Sequence, residues 1–117
     1  MSDYHQISDS FTQINELTKK SEQLIVAQNY HKAISLISNA VSLNGEYAAL
    51  YLKLSECYFK IGQHCRSKKY LDQGFTCLNE NSSYSASSLH IQFYLMDLQL
   101  AMRCRVIEHL KLSIKNL

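Results

Sequence analysis

The chain has no proline and no tryptophan, and its three glycines are Gly45, Gly62 and Gly74. So few backbone stops leave long helices uninterrupted. No C-x-x-C pair occurs among Cys57, Cys65, Cys77 and Cys104, and Met1 to Gln6 is polar, with no apolar leader. Both absences predict reduced thiols and a cytoplasmic protein, with a nuclear location compatible. No uncharged run approaches the ~18 to 20 residues that span a bilayer. The most apolar stretch, Phe93 to Met102, is broken by Asp97. The net charge of +2 is too small to indicate nucleic acid. There is no Gly-rich phosphate loop and no H-E-x-x-H.

What remains is a chain of 117 residues, 46% apolar, enough for one domain with a modest core. Residues 1–9 are polar and read as a flexible amino terminus. A helix is expected from Ser10, where Ser10-Phe11-Thr12-Gln13 has capping-box form, to about Gln28. Its stripe is Phe11, Ile14, Leu17, Leu24 and Ile25, with Ser21 as the small member. Asn29 can cap a second helix, whose buried face is Ala33, Ile34, Ile37, Ala40 and Val41. Gly45 can end it in a left-handed conformation. A third helix covers about Glu46 to Ile61 and stops at Gly62. A fourth runs from His64 to about Leu78, with Asn79 to Ser83 as the turn. Residues 84–117 read as helix, either one long helix or, the favoured reading, two with a break near Ala101 to Cys104. Their apolar residues cover more than one face, so they want cover on more than one side.

These segments repeat. Leu17 aligns with Tyr51, Ser21 with Ser55 and Leu24 with Tyr58. Tyr30 aligns with His64, Ala33 with Ser67, Ile37 with Leu71 and Ala40 with Gly74. Every step is about 34 residues, the tetratricopeptide period. Small residues in the set let helices approach closely, and large ones fill the space between turns.

On these residues the chain resembles the tetratricopeptide repeat family. The second copy, carried by Tyr51, Leu54, Ser55, Tyr58, Gly62, Leu71 and Gly74, fits best. The first has Gln28 where the family usually has Gly, and neither copy has the closing Pro. The third is degenerate, with Leu89 in a small-residue place and Gln92 in a large-residue one. The resemblance implies an all-α fold, a right-handed stack of antiparallel helix pairs. Residues 10–117 then form one domain, with repeats at 10–45 and 46–81 and a capping segment at 82–117.

The resemblance also implies a concave face lined by the first helix of each pair, the surface repeat stacks use for extended ligands. Carried over, that groove holds Asn15, Thr18, Lys19, Glu22 and Val26. The second copy adds Ala49, Leu52, Lys53, Glu56 and Phe59, and the third Ser83, Ser87, His90 and Tyr94. Small chaperone adaptors of the family clamp a terminal carboxylate with Lys, Asn and Arg donors. The matching places here hold Thr18, Glu22, Lys53, Ser83 and Ser87. Only Lys53 is cationic, and Glu22 would repel a carboxylate. The expected function is therefore a protein-interaction adaptor or scaffold that takes a peptide or partner protein without that clamp. The alternative is a structural, self-associating subunit that uses Leu95, Met102, Val106 and Leu110.

No other chemistry competes. Cys104 and His109 stand roughly 140° apart on a helix, and zinc needs about four ligands. Cys104 is expected to be buried, given its apolar context. His64 and Cys65 are sequential and point apart. Arg66, Lys68 and Lys69 lack interleaved exposed aromatics and read as a solvated face. Neither an enzymatic site, a cofactor, a metal, a nucleic acid nor a membrane is expected.

Overall fold

The computed structural model describes the backbone of residues 2–81 and 88–117 and the side chains of residues 10–80 and 88–117. The described residues form five α-helices and no strand. These are α1 (Ser2–Val26), α2 (Tyr30–Leu43), α3 (Ala48–Lys60), α4 (His64–Asn81) and α5 (Ser88–Lys115). The fold class is all-α, as the sequence predicts. α1 packs on α2, α2 on α3, α3 on α4, and α5 on both α4 and α3.

Two of the connections are one turn used twice. At the end of α1, Gln28 N–H donates to Ile25 O (2.9 Å) and Asn29 N–H to Leu24 O (2.8 Å). At the end of α3, Gly62 N–H donates to Phe59 O (3.1 Å) and Gln63 N–H to Tyr58 O (2.9 Å). This is the Schellman pattern, in which the first residue beyond the helix takes a left-handed backbone. Gly62 has φ +83° and Gln28 has φ +61°. Gln28 therefore adopts the glycine-like conformation even though a Cβ makes it unfavourable.

Burial follows the same step. Ser21 and Ser55 are buried, as are Ala33 and Ser67, Ile37 and Leu71, and Ala40 and Gly74. One core cluster gathers Ile14, Ala33, Ile37, Ala40, Leu50, Leu54 and Cys57 between α1, α2 and α3. A second gathers Leu52, Leu71, Leu78, Phe93, Met96 and Leu100 between α3, α4 and α5. At the α3–α4 crossing, Ser67 Oγ donates to Ser55 O (2.7 Å) and lies 3.0 Å from Ser55 Oγ. Two small hydroxyls thus satisfy each other where larger side chains would hold the helices apart.

Several boundaries differ from expectation. α1 begins at Ser2, so residues 2–9 are helical and Ser10 lies inside the helix. A capping box cannot operate there, because the backbone before Ser10 is already helical. Asn29 stands at the N-cap of α2 but makes no side-chain capping bond. The Schellman turn sets its ψ at 71°, away from the extended backbone that aims a capping oxygen at the first turn. Gly45 is not left-handed. α2 ends instead at Asn44, in extended backbone (φ −157°, ψ 110°), whose Oδ1 accepts from Glu46 N–H (2.9 Å). The Tyr51 hydroxyl donates to Gly45 O (2.8 Å) and would crowd a Cβ there at 3.1 Å.

The carboxyl-terminal segment departs most. α5 is one continuous helix of 28 residues, with no break near Ala101 to Cys104. Nothing in those residues forces one, since Gly and Pro are absent. His90, Phe93, Met96 and Leu100 are buried, whereas beyond Leu100 only Ile107 is partly covered. The register has also shifted. The Arg103 guanidinium lies over the Phe59 ring (5.3 Å), and Phe93 packs on Phe75 (5.1 Å). A strict 34-residue step would set Phe93 level with Phe59, so α5 is displaced by about ten residues from the period. Part of the shift comes from α4, which has 18 residues against 14 in α2.

Gln28→Gly relieves the left-handed strain at the first turn. It should raise stability by about 0.5–1 kcal/mol, a melting-temperature gain of a few degrees. Gly62→Ala meets no atom within 4 Å, so its loss of about 1 kcal/mol is backbone strain alone. Thermal denaturation of the two variants should therefore move in opposite directions. At Gly74 an added Cβ would collide with the Phe93 ring and touch Tyr51 Cβ at 3.0 Å. Gly74→Ala should cost about 1–3 kcal/mol by forcing α5 off α4, read in urea unfolding.

Candidate interaction groove on α1, α3 and α5

Glu22 on α1 and Lys53 on α3 meet across the helices at 3.1 Å. Lys53 is the more covered partner, with 23% of its side chain exposed against 54% for Glu22. The one cation at the carboxylate-clamp places is therefore already matched by a carboxylate. One turn along α3, Glu56 is half-buried, and burial pushes its carboxyl above the usual range while Lys53 and Lys60 pull it down. A further turn on stands Phe59, edge-on to His64 (5.4 Å) and under Arg103.

Three depressions follow this line. A recess of about 210 Å³ is lined by Ile25, Tyr30, Glu56, Cys57, Lys60 and Gln99. Beside it lies a wider one of about 530 Å³, formed by Phe59, Lys60, Gln99, Met102, Arg103 and Val106. On α1, Lys19, Glu22, Gln23 and Val26 frame a third of about 410 Å³. Val26 is 85% exposed there, an apolar side chain held in water.

The residues expected in the groove divide into two groups. Asn15, Lys19, Glu22 and Val26 are exposed on α1, and Ala49 is exposed on α3. Lys53, Glu56 and Phe59 are partly exposed. Thr18 is half-buried and its hydroxyl donates back to Ile14 O (2.7 Å). Leu52 is not a groove residue. It is 3% exposed, because α5 covers that side of α3 and seats it against Leu71, Phe93 and Met96. His90 is 6% exposed, on the face of α5 that packs inward. Tyr94 is exposed but sits against Phe75 of α4 (5.5 Å), outside the groove. Leu52 is lost to the cover α5 provides, and His90 and Tyr94 to the displaced register of α5. Ser83 and Ser87 lie outside the described residues. Lys60, Gln99 and Arg103 line the recesses as well; Lys60 stands 34 residues after Val26, whereas alignment at the fixed period could not find Gln99 or Arg103.

Leu95, Met102, Val106 and Leu110, the expected self-association residues, are all exposed. The basic run is occupied within the molecule. Arg66 lies over Tyr58 (5.8 Å) and Lys69 over Tyr70 (5.6 Å), the two tyrosines themselves stacked at 5.4 Å. Lys68 bridges Asp72 (3.1 Å) and Asp97 (3.2 Å), tying α4 to α5. The Asp72 hydrogen bond, more than that to Asp97, holds its ammonium above the usual range.

All four cysteines are free. Cys57 is buried under the 210 Å³ recess, and burial, with Glu56 beside it, pushes its thiol up to about 11. Cys77 is raised by burial too. Cys104 is exposed, contrary to expectation, because the body covers little of α5 beyond Leu100. Among the described residues, no three His, Cys, Asp or Glu side chains are placed to hold a metal ion, and no helix is long and apolar enough to cross a membrane. Comparison with protein-family models, curated proteins and solved structures finds no match to the chain.

The thiols should react in order of access and ionisation. Alkylation of the native protein near neutral pH, followed by mass spectrometry, should modify Cys65 and Cys104 and spare Cys57 until denaturant is added. Native labelling of Cys57 ahead of Cys104 would contradict this placement.

Proposed function

We propose that the chain is a tetratricopeptide-like adaptor that holds a segment of another protein along α1, α3 and α5. The observation that carries this reading is the hairpin repeated at one step. The same turn, the same small buried positions and the same burial pattern recur in α1–α2 and α3–α4. A repeated hairpin sets its first helices side by side, and an extended ligand can run across them.

The groove's chemistry narrows the ligand. Lys53 is matched by Glu22, and Glu56 adds a further carboxylate beside it. An acidic chain terminus would meet one paired cation and two carboxylates, so the clamp used by chaperone adaptors does not operate here. A segment with apolar side chains for Val26, Phe59 and Met102, and a cationic or hydrogen-bonding group for Glu56, fits the recesses. The ion pair sits at the rim and sets register, while the apolar contacts supply affinity.

The test uses a partner recovered by affinity capture and then purified. Lys53→Ala with Glu56→Ala should weaken its binding at least tenfold, about 1.4 kcal/mol, with helical circular dichroism unchanged. Unchanged affinity would remove the groove assignment.

A further inference from the structure

The recess of about 530 Å³ has no acid in its wall. Phe59 and Lys60 of α3 form one side, and Gln99, Met102, Arg103 and Val106 of α5 the other. At about 100° per residue these four positions fall within one arc of about 100°, so a single face of α5 makes the wall. Two of the lining side chains are cations. Among the described residues, neither Lys60 nor Arg103 has an ion pair or donates a hydrogen bond. Lys53 and Lys68, by contrast, are held by carboxylates at 3.1–3.2 Å. The nearby acids are placed elsewhere. Glu56 lines the neighbouring recess and not this one. Asp97 is taken by Lys68. Glu108 stands about 140° round the helix from Arg103.

Arg103 is held ready for a ligand. Its guanidinium lies over the Phe59 ring at 5.3 Å, a contact that restricts the group without using its N–H donors in hydrogen bonds. A carboxylate matches the fork those donors form. Beside it, Met102 and Val106 are 59% and 54% exposed, so apolar surface borders the charge. The geometry points to a subsite for an acidic side chain of the bound segment, its carboxylate between Arg103 and Lys60 and an apolar side chain two positions along resting on Met102 and Val106. This rests on the adaptor reading above and adds the sign and spacing of what the groove takes. An extended segment puts residues two apart on one side, about 6–7 Å from each other. The recess lies within the range of about 300–1,000 Å³ that holds small ligands, room for that pair. With Glu56 in the adjoining recess, charge alternates along the groove and gives the segment one direction.

The probe is the peptide acetyl-Leu-Ala-Glu-Ala-Leu amide, whose blocked ends leave the Glu side chain as its one charge. In an amide NMR titration of the full chain, signals of Phe59, Lys60 and Arg103 should move. The Gln analogue of the peptide should bind about fivefold more weakly, the scale of an exposed ion pair, and high salt should shrink the difference. Arg103→Gln should abolish the preference, and Arg103→Lys should keep part of it, as a charge without the fork. No binding at millimolar peptide, equal binding of the two peptides, or a preference that survives Arg103→Gln overturns the subsite. Tighter binding of phenylacetate than of the peptide assigns the recess to a small acid and overturns the peptide occupant. If the preference is absent while Lys53→Ala with Glu56→Ala still weakens the captured partner, the groove stands and this subsite alone falls.

Discussion

The close approach of helices at positions without bulk is what the rest of the molecule depends on. At the α3–α4 crossing that position is Ser55 against Ser67. At the α4–α5 crossing it is Gly74 against Phe93. Dispersion and hydrophobic contacts fall off over less than an ångström, so interior packing holds only if such positions stay small. The serine pair also keeps its own polar atoms satisfied, which an isolated buried hydroxyl would not. With these crossings closed, Leu71 and Phe93 become fully buried, and α5 is held mainly by its first half.

That attachment explains how the surface is divided. α5 fills the side of α3 that would otherwise belong to a groove, and Leu52 disappears into the core. It sets Gln99, Met102 and Arg103 alongside Phe59 and Lys60 instead. The same helix then runs on past the body, so one element carries a packed face, the edge of a recess and an exposed apolar end. The ion pairs contribute less. Glu22–Lys53 and the Lys68 bridge are largely at the surface, where such pairs are worth at most about 1 kcal/mol each. Their role is to fix relative register rather than to stabilise the fold.

Most of the first two hairpins was legible in the sequence, because side-chain size and helical spacing are local properties. Ser21, Ser55, Ala33, Ser67, Ala40 and Gly74 are small in the sequence and buried in the fold for one reason. The missing glycine at Gln28 was also legible, although the sequence could not say that the chain would accept left-handed backbone there rather than change the turn. The residues expected to line a groove are exposed or partly exposed on α1 and on most of α3. The expectation failed at Leu52 of α3, which α5 covers, and on α5, where His90 and Tyr94 were placed by a period that α5 does not keep.

By itself the sequence determined the all-α class, the paired hairpins and the small-residue crossings. Each follows from residue type at fixed spacing along a helix. The tertiary structure alone decided the register of α5, the burial of Leu52 and His90, the exposure of Cys104 and the pairing of Lys53 with Glu22. Those depend on which helix lies over which, and that is set by the summed packing of Phe93, Met96 and Leu100 against Gly74 and its neighbours rather than by any local pattern.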